Sequence, residues 1–301
     1  MKLEGFKGII AATITPNGSS DEVVGAYLDF LYKAGVRGIF ILGTMGEGAK
    51  LSPSTREKVA GRVVEAAGTR FLKIAHVGCS DLESSARLAR HAQEIGADAV
   101  SAVAPFFYRY DAESLANFYS ALCTSTGLPV LVYNNPGRQG YSIGLGDLAR
   151  VFELVPALRG IKDSSGDPDL MLELKCMFGS SHFVACGGDH LLYYAFSIGV
   201  GAHVSAMAAI YPELAVGIMN AVERGDFAEA LRLQQAVNRA RRTLRAVGPD
   251  TASYRFALSL RGVDLGPPIA PTRRLRQEEM EQLSRALGPI NKLAEDAVKR
   301  A

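Results

Sequence analysis

An eightfold alternation constrains this chain more than any other feature. Short apolar runs rich in Val, Ile or Ala occupy 8–16 (GIIAATITP), 38–44 (GIFILGT), 71–78 (FLKIAHVG), 99–105 (AVSAVAP), 130–136 (VLVYNNP), 158–165 (LRGIKDSS), 182–189 (HFVACGGD) and 201–207 (GAHVSAM). Most close on turn-forming residues. Runs without polar alternation suit strands covered on both faces. Helical periodicity fills the gaps, as over 53–67, 81–95, 111–126 and 189–198. Several of these segments open on a capping residue: Ser52 before Pro53, Ser80 or Asp81, Asp111, and Asp167 before Pro168. Others close on Gly35, Gly68, Gly96 or Gly127.

Eight such units, spaced 19 to 33 residues apart, predict an α/β chain folded as a closed (β/α)8 TIM barrel. An open doubly wound sheet would place a phosphate-binding fingerprint after its first strand. Here the first run ends in Thr15-Pro16-Asn17-Gly18, and no G-x-G-x-x-G or Walker loop occurs. Beyond about residue 225 the strand pattern stops, and helices are expected over 226–246, near 251–261 and over 278–299. The expected organisation is a catalytic barrel over 1–225 with a C-terminal helical extension over 226–301.

Charge narrows the function. Lys plus Arg total 33 against 31 Asp plus Glu, a net charge of +2, with no block of one sign. Neither a nucleic-acid partner nor a membrane surface is expected. The N-terminus lacks the apolar core of a signal peptide, and no run is long enough to span a membrane. Cys79, Cys123, Cys176 and Cys186 form no C-x-x-C pair, which reads as reduced thiols in a cytoplasmic protein. The histidines show no metal-ligand spacing, so no metal and no cofactor is expected.

In a barrel of this kind the chemistry lies at the C-terminal ends of the strands. Lys162, inside the sixth run, stands out, because a charged amine is costly to bury. Lowering its pKa from about 10.4 to near 7 would take roughly 4–5 kcal/mol of environmental bias and yield an amine able to attack a carbonyl. The plain alternative is a strand lysine paired with a carboxylate. Tyr133, ending the fifth run, is either a proton-transfer phenol or a packing residue. Thr44 is either a carboxylate ligand or a turn cap. Arg138 is either a bidentate carboxylate clamp or a solvated arginine. His190 and His203 are candidates for the barrel mouth; His76, His91 and His182 read as packing, cap or surface residues.

With these residues placed, the chain resembles the dihydrodipicolinate synthase / N-acetylneuraminate lyase family, from about residue 6 to 225 and more loosely to the C-terminus. GTMGEGAKLSPSTREKV resembles the family's G-[ST]-x-G-E segment and the helix start after it. YNNPGRQG resembles its Y-N-x-P-x-R-T-G stretch, GIKDSSGD its Schiff-base lysine segment, and CGGDH its S-G-D-D/E strand. The resemblance implies a class I, Schiff-base carbon–carbon or carbon–oxygen lyase that needs no cofactor and assembles as a homotetramer. It implies that Lys162 condenses with pyruvate, that Tyr133 moves protons, and that Thr44 and the Met45 amide hold the carboxylate. Arg138 would meet an acidic second substrate, with Gly188 and Ser205 as further substrate-binding positions. Three positions depart from the synthase pattern: Met45, Phe107 where a relay tyrosine stands, and Ala209 in place of an Asn. The leading expectation is aldol condensation or cleavage with pyruvate or a related 2-oxo acid and an aldehyde, in the manner of dihydrodipicolinate synthase. A 2-keto-3-deoxy-sugar-acid aldolase, such as one for 2-keto-3-deoxygluconate, is the second. A non-catalytic keto-acid-binding protein is the alternative of another class.

Overall fold

The structure, a computed structural model, describes residues 3–298. Eight parallel strands close into a barrel in chain order: β1 (Gly8–Ala12), β2 (Gly38–Ile41), β3 (Leu72–His76), β4 (Ala99–Val103), β5 (Val130–Asn134), β6 (Gly160–Asp163), β7 (Phe183–Cys186) and β8 (Ala202–Ser205). Each strand lies within one apolar run, and the end of the run forms the loop at the strand's C-terminal end. The helices are α1 (Asp21–Lys33), α2 (Pro53–Ala67), α3 (Leu82–Glu94), α4 (Ala112–Ser125), α5 (Pro136–Gln139), α6 (Leu145–Leu154), α7 (Pro168–Phe178), α8 (Leu192–Ser197), α9 (Pro212–Glu223), α10 (Phe227–Ala246), α11 (Asp250–Ser259) and α12 (Gln277–Val298). The helix expected over 189–198 is split: a 3-10 turn covers Asp189–Leu191 before α8 begins. The helix expected over 278–299 is α12, and position 299 lies outside the described residues.

Local chemistry starts these helices where the sequence suggests. Ser52 accepts from the Thr55 amide, Asp81 from Ser84, Asp111 from Ser114, and Asp167 from both Asp169 and Leu170. Each such cap satisfies otherwise unpaired N–H groups and contributes about 1 kcal/mol.

The register fixes which side chains line the barrel. Lys162 pairs with Tyr133 on one side and Ala185 on the other, and Tyr133 pairs with Val103. Side chains at paired positions share a face, and the face alternates along each strand. Followed around the barrel, Ser101, His76, Ile74, Phe40, Ile10, Val204 and Ala202 share the lining with Lys162 and Tyr133. The outer faces pack against the helices.

The interior core is continuous with the C-terminal helices. Leu233, Leu244, Leu258, Leu283 and Leu287 belong to the same buried cluster as Ile10 and Phe40. A fully buried leucine contributes about 1.5–3 kcal/mol, so these helices are joined to the barrel by substantial apolar burial. The buried Arg261–Glu213 ion pair adds a polar tie between α9 and the chain just after α11. No helix among the described residues is long and apolar enough to cross a membrane.

Candidate active site

At the C-terminal end of the barrel, β5 and β6 present Tyr133 and Lys162 side by side. Both are almost wholly buried. The Lys162 Nζ lies 3.6 Å from the Tyr133 ring centroid and 4.3 Å from that of Phe40. An amine so placed has aromatic faces where water would otherwise solvate it. Glycine at 187 makes room for its stem: a Cβ there would stand 3.2 Å from Lys162 Cε and 2.0 Å from Ser164 Oγ.

The phenol oxygen of Tyr133 has Thr44 and Asn135 about it besides Lys162. Thr44 Oγ1 is 3.2 Å away, and Asn135 Nδ2 donates to it at 2.7 Å. Burial pushes the phenol pKa up. The nearby Lys162 charge and hydrogen bond, with the bonds from Thr44 and Asn135, outweigh that and bring it below its usual value. A phenol tuned in this way gives and regains a proton more readily.

Beneath this pair sits His76, one of the three histidines expected to be packing, cap or surface residues. Its ring meets Tyr133 edge-on at 5.8 Å. Nε2 accepts the Val103 amide at 3.2 Å, and Nδ1 lies 3.4 Å from the Arg56 guanidinium. Burial, the Arg56 charge and the Lys162 charge together hold His76 well below the usual imidazole range, hence neutral. The available signal was its two-residue offset from Ile74, which places both on one strand face.

Thr44 and Met45 lie in a tightly folded loop after β2. Thr44 is exposed at the mouth and Met45 is buried. Leu42 and Glu47 both have left-handed backbone, with φ of 61° and 54°. A Cβ at position 48 would stand 1.9 Å from the Leu42 carbonyl oxygen, so only glycine fits there. Glu47 anchors the loop. It accepts from Arg255 Nε at 2.8 Å and Nη2 at 2.6 Å, from Thr251 at 2.7 Å, from Lys50 at 2.8 Å and from the Ile269 amide at 3.2 Å. The C-terminal α11 therefore supports the loop that carries Thr44. Sequence reading quoted Glu47 within a motif but assigned it no role.

Other sequence candidates stand elsewhere. Ser205, expected as substrate-binding, is on the outer face of β8. It donates to Asp189 at 2.5 Å and accepts the Ala208 amide at 2.8 Å. The neighbouring inward position is Val204, and the one-residue phase is the physical reason for the difference. His203, suggested for the mouth, also faces outward and meets the Gly188 carbonyl oxygen at 3.1 Å. Gly188 thus turns its carbonyl toward β8. Arg138 is exposed on α5, a helix secured by Gln139, which donates to Asn134 at 3.0 Å and accepts the Asn135 amide at 3.0 Å. Asp163 faces outward, bonded to Asn134 at 2.7 Å and Ser165 at 2.6 Å; burial pushes its pKa up against both partners. Phe107 is 88 % exposed with φ of 83°, and its ring stacks edge-on against the exposed Tyr108. No cluster of three His, Cys, Asp or Glu among the described residues is arranged to hold a metal.

Two hollows lie away from this constellation. One of about 900 Å³ includes Lys7, Arg159 and Lys175 in its lining. The other, about 440 Å³, includes Glu213 and Arg232. Neither touches Lys162 or Tyr133.

The shielded amine, its register-paired phenol and the hydroxyl loop agree with sequence-wide comparison, in which residues 5–289 match the dihydrodipicolinate synthetase family. The chain belongs to this family. Among its relatives is an uncharacterized DapA-like lyase of Halobacterium salinarum, 34 % identical over 96 % of this chain and 95 % of that protein. A 4-hydroxy-tetrahydrodipicolinate synthase of Rhizobium meliloti is 31 % identical over 94 % and 99 %. The sialic acid aldolase of Ruminococcus gnavus superposes with a TM-score of 0.90 at 25 % identity, covering 99 % of both chains. A 2-keto-3-deoxygluconate aldolase variant of Sulfolobus solfataricus does so with a TM-score of 0.87 at 27 % identity, covering 96 % and 98 %. The family members so named are lyases, synthases and aldolases.

Proposed function

We propose that this chain is a class I lyase in which Lys162 forms a Schiff base with pyruvate or a related 2-oxo acid. The observation that carries the reading is the Lys162 amine, buried at the catalytic end of the barrel and 3.6 Å from the Tyr133 ring centroid. A shielded amine beside a phenol supplies both a nucleophile and a general acid. Lys162 attacks the keto carbon to form a carbinolamine. Its hydroxyl takes the phenol proton and leaves as water, while the nitrogen lone pair closes the C=N bond. Thr44 and the Met45 amide hold the carboxylate at the β2 loop. Arg138, exposed on α5, meets an acidic group of the second substrate. The products are an iminium and a phenolate, and the phenolate then withdraws the proton needed for the aldol step.

Borohydride reduction in the presence of pyruvate, read by mass spectrometry of the Lys162 peptide, tests this. A stable pyruvate adduct is expected, and Lys162→Ala should abolish it. An unlabelled lysine under conditions that trap a relative would overturn the reading. Arg138→Ala should impair an acidic second substrate far more than adduct formation; equal losses would remove Arg138 from that role.

A second reading is a 2-keto-3-deoxy-sugar-acid aldolase. It is favoured by the likeness to the Sulfolobus enzyme and by Phe107, which has no hydroxyl to relay a proton. Synthesis from aspartate semialdehyde and pyruvate, set against cleavage of 2-keto-3-deoxygluconate, separates the two. We further infer a cytoplasmic homotetramer. The Phe107–Tyr108 pair supports self-association, being an aromatic step left in solvent by a single chain. Light scattering at a monomer mass would contradict it.

A further inference from the structure

We propose that Asn135 is a positioning residue that sets the direction in which Tyr133 passes its proton. The inference rests on the Schiff-base reading of Lys162 and adds to it a residue outside the proposed machinery. It starts from donor and acceptor counting at one oxygen. Asn135 Nδ2 stands 2.7 Å from the phenol oxygen, and an amide nitrogen only donates. The phenol therefore accepts on that side, and its single hydrogen is left for Lys162, which also hydrogen-bonds the phenol, for Thr44 Oγ1 at 3.2 Å, or for a substrate oxygen bound between them. Position 107, where a relay tyrosine would stand by family resemblance, is a phenylalanine held 88 % exposed. Asn135 thus supplies a fixed donor at the phenol in a chain that has no hydroxyl at position 107.

The backbone aims the amide. Asn135 follows Tyr133 by two positions, so strand alternation carries both toward the same face. Pro136 disfavours helical backbone at the residue before it, and Asn135 has φ of −144° and ψ of 83°. Its own N–H is held by Gln139 Oε1 at 3.0 Å. Little conformational freedom remains for the side chain to lose when the phenolate forms.

The consequence falls on the dehydration step. The phenol proton goes to the carbinolamine hydroxyl, the C–O bond breaks, water leaves, and the nitrogen lone pair becomes the C=N bond. The charges left are an iminium cation and a phenolate anion. The Asn135 N–H bond strengthens toward that anion, because hydrogen bonds to charged groups are stronger than neutral ones.

The test follows the rate of pyruvate adduct formation, trapped with borohydride and read by intact mass, across a wide pH range. In Asn135→Ala the alkaline limb, where the phenol loses its proton, should move up by about one to two pH units. The plateau rate should fall about tenfold or more. In Asn135→Asp, nearly the same shape but an acceptor with negative charge, the limb should move further in the same direction. A uniform rate loss with an unmoved limb in Asn135→Asp would mark Asn135 as packing only and overturn the proposal. That variant decides the matter even if Asn135→Ala fails to fold by circular dichroism. Absence of any adduct in the unaltered enzyme would sink the Schiff-base reading itself, which separates the two failures.

Discussion

Two loops at the catalytic end of the barrel make an instructive pair. The loop after β2 carries Thr44 and the loop after β4 carries Phe107, and each holds non-glycine residues in left-handed backbone. Such conformations cost on the order of 1–3 kcal/mol and persist where surroundings over-determine them. The β2 loop has that support. Glu47 is buried and receives five hydrogen bonds, two of them from Arg255. The β4 loop lacks anything comparable at its strained residue, since Phe107 turns its ring into solvent against Tyr108. One loop is fixed from within the chain. The other stores strain at an exposed aromatic step, the position that a neighbouring copy would cover under the tetramer reading.

The largest effect should come from breaking the anchored loop. Arg255→Met leaves Glu47 buried without its main cation, and losing one partner of a buried pair typically costs about 3–5 kcal/mol. Urea denaturation should show that loss, and pyruvate adduct formation should slow because Thr44 is no longer held. A variant as stable as the parent would show that the loop is fixed by something else.

Acid sensitivity sharpens the contrast, but His203 sets a background. Burial depresses its pKa to about 3, below the ordinary value near 6.5. Below pH about 6.5 the unfolded chain therefore binds a proton that the folded chain does not, and stability falls as pH drops toward 3. The slope is roughly 1.4 kcal/mol per pH unit. His203→Gln should flatten the pH dependence of urea midpoints in that window by about this much.

The anchored loop adds a smaller loss at lower pH. Burial raises the Glu47 carboxyl, but Lys50, Arg255 and Thr251 together bring it below its ordinary value. A carboxylate depressed on folding stabilises fully above its unfolded pKa of about 4.3, and that contribution disappears as pH falls through the folded value. In a His203→Gln background, Glu47→Gln should reduce the remaining steepening below pH about 4.3. An unchanged curve would mean that acid acts at other carboxylates.

The smallest effect should be at the other loop. Phe107→Gly relieves a left-handed bulky residue, while the unfolded chain gains freedom of about 0.5–1 kcal/mol. The two nearly offset, so the urea midpoint of the isolated chain should shift by less than about 1 kcal/mol. A loss as large as that of Arg255→Met would erase the distinction between the loops. If the assembly reading holds, the same substitution should weaken self-association in light scattering.

Much of the site was legible in the chain because its residues are close in sequence or one strand apart. Lys162 declared itself as a lysine in an apolar run, and Tyr133 as the phenol closing the previous one. The structure sets them in register. The phase of β8 was not legible. When both strand faces are apolar, periodicity does not say which face is inside, and Ser205 was placed on the wrong one. Asn135 escaped notice because its relevance is a 2.7 Å contact rather than a residue type typical of catalysis.

The sequence alone determined the alternation, the helix caps and the order of the strand-end motifs, because each depends on residues within a few positions of one another. Tertiary structure alone decided that Arg255 supports a loop 208 positions earlier, that His76 lies beneath the phenol, and that Ser205 turns away. Closing the barrel sets the inward phase of all eight strands together. The C-terminal helices reach Glu47 only after that closure brings its loop and α11 into contact.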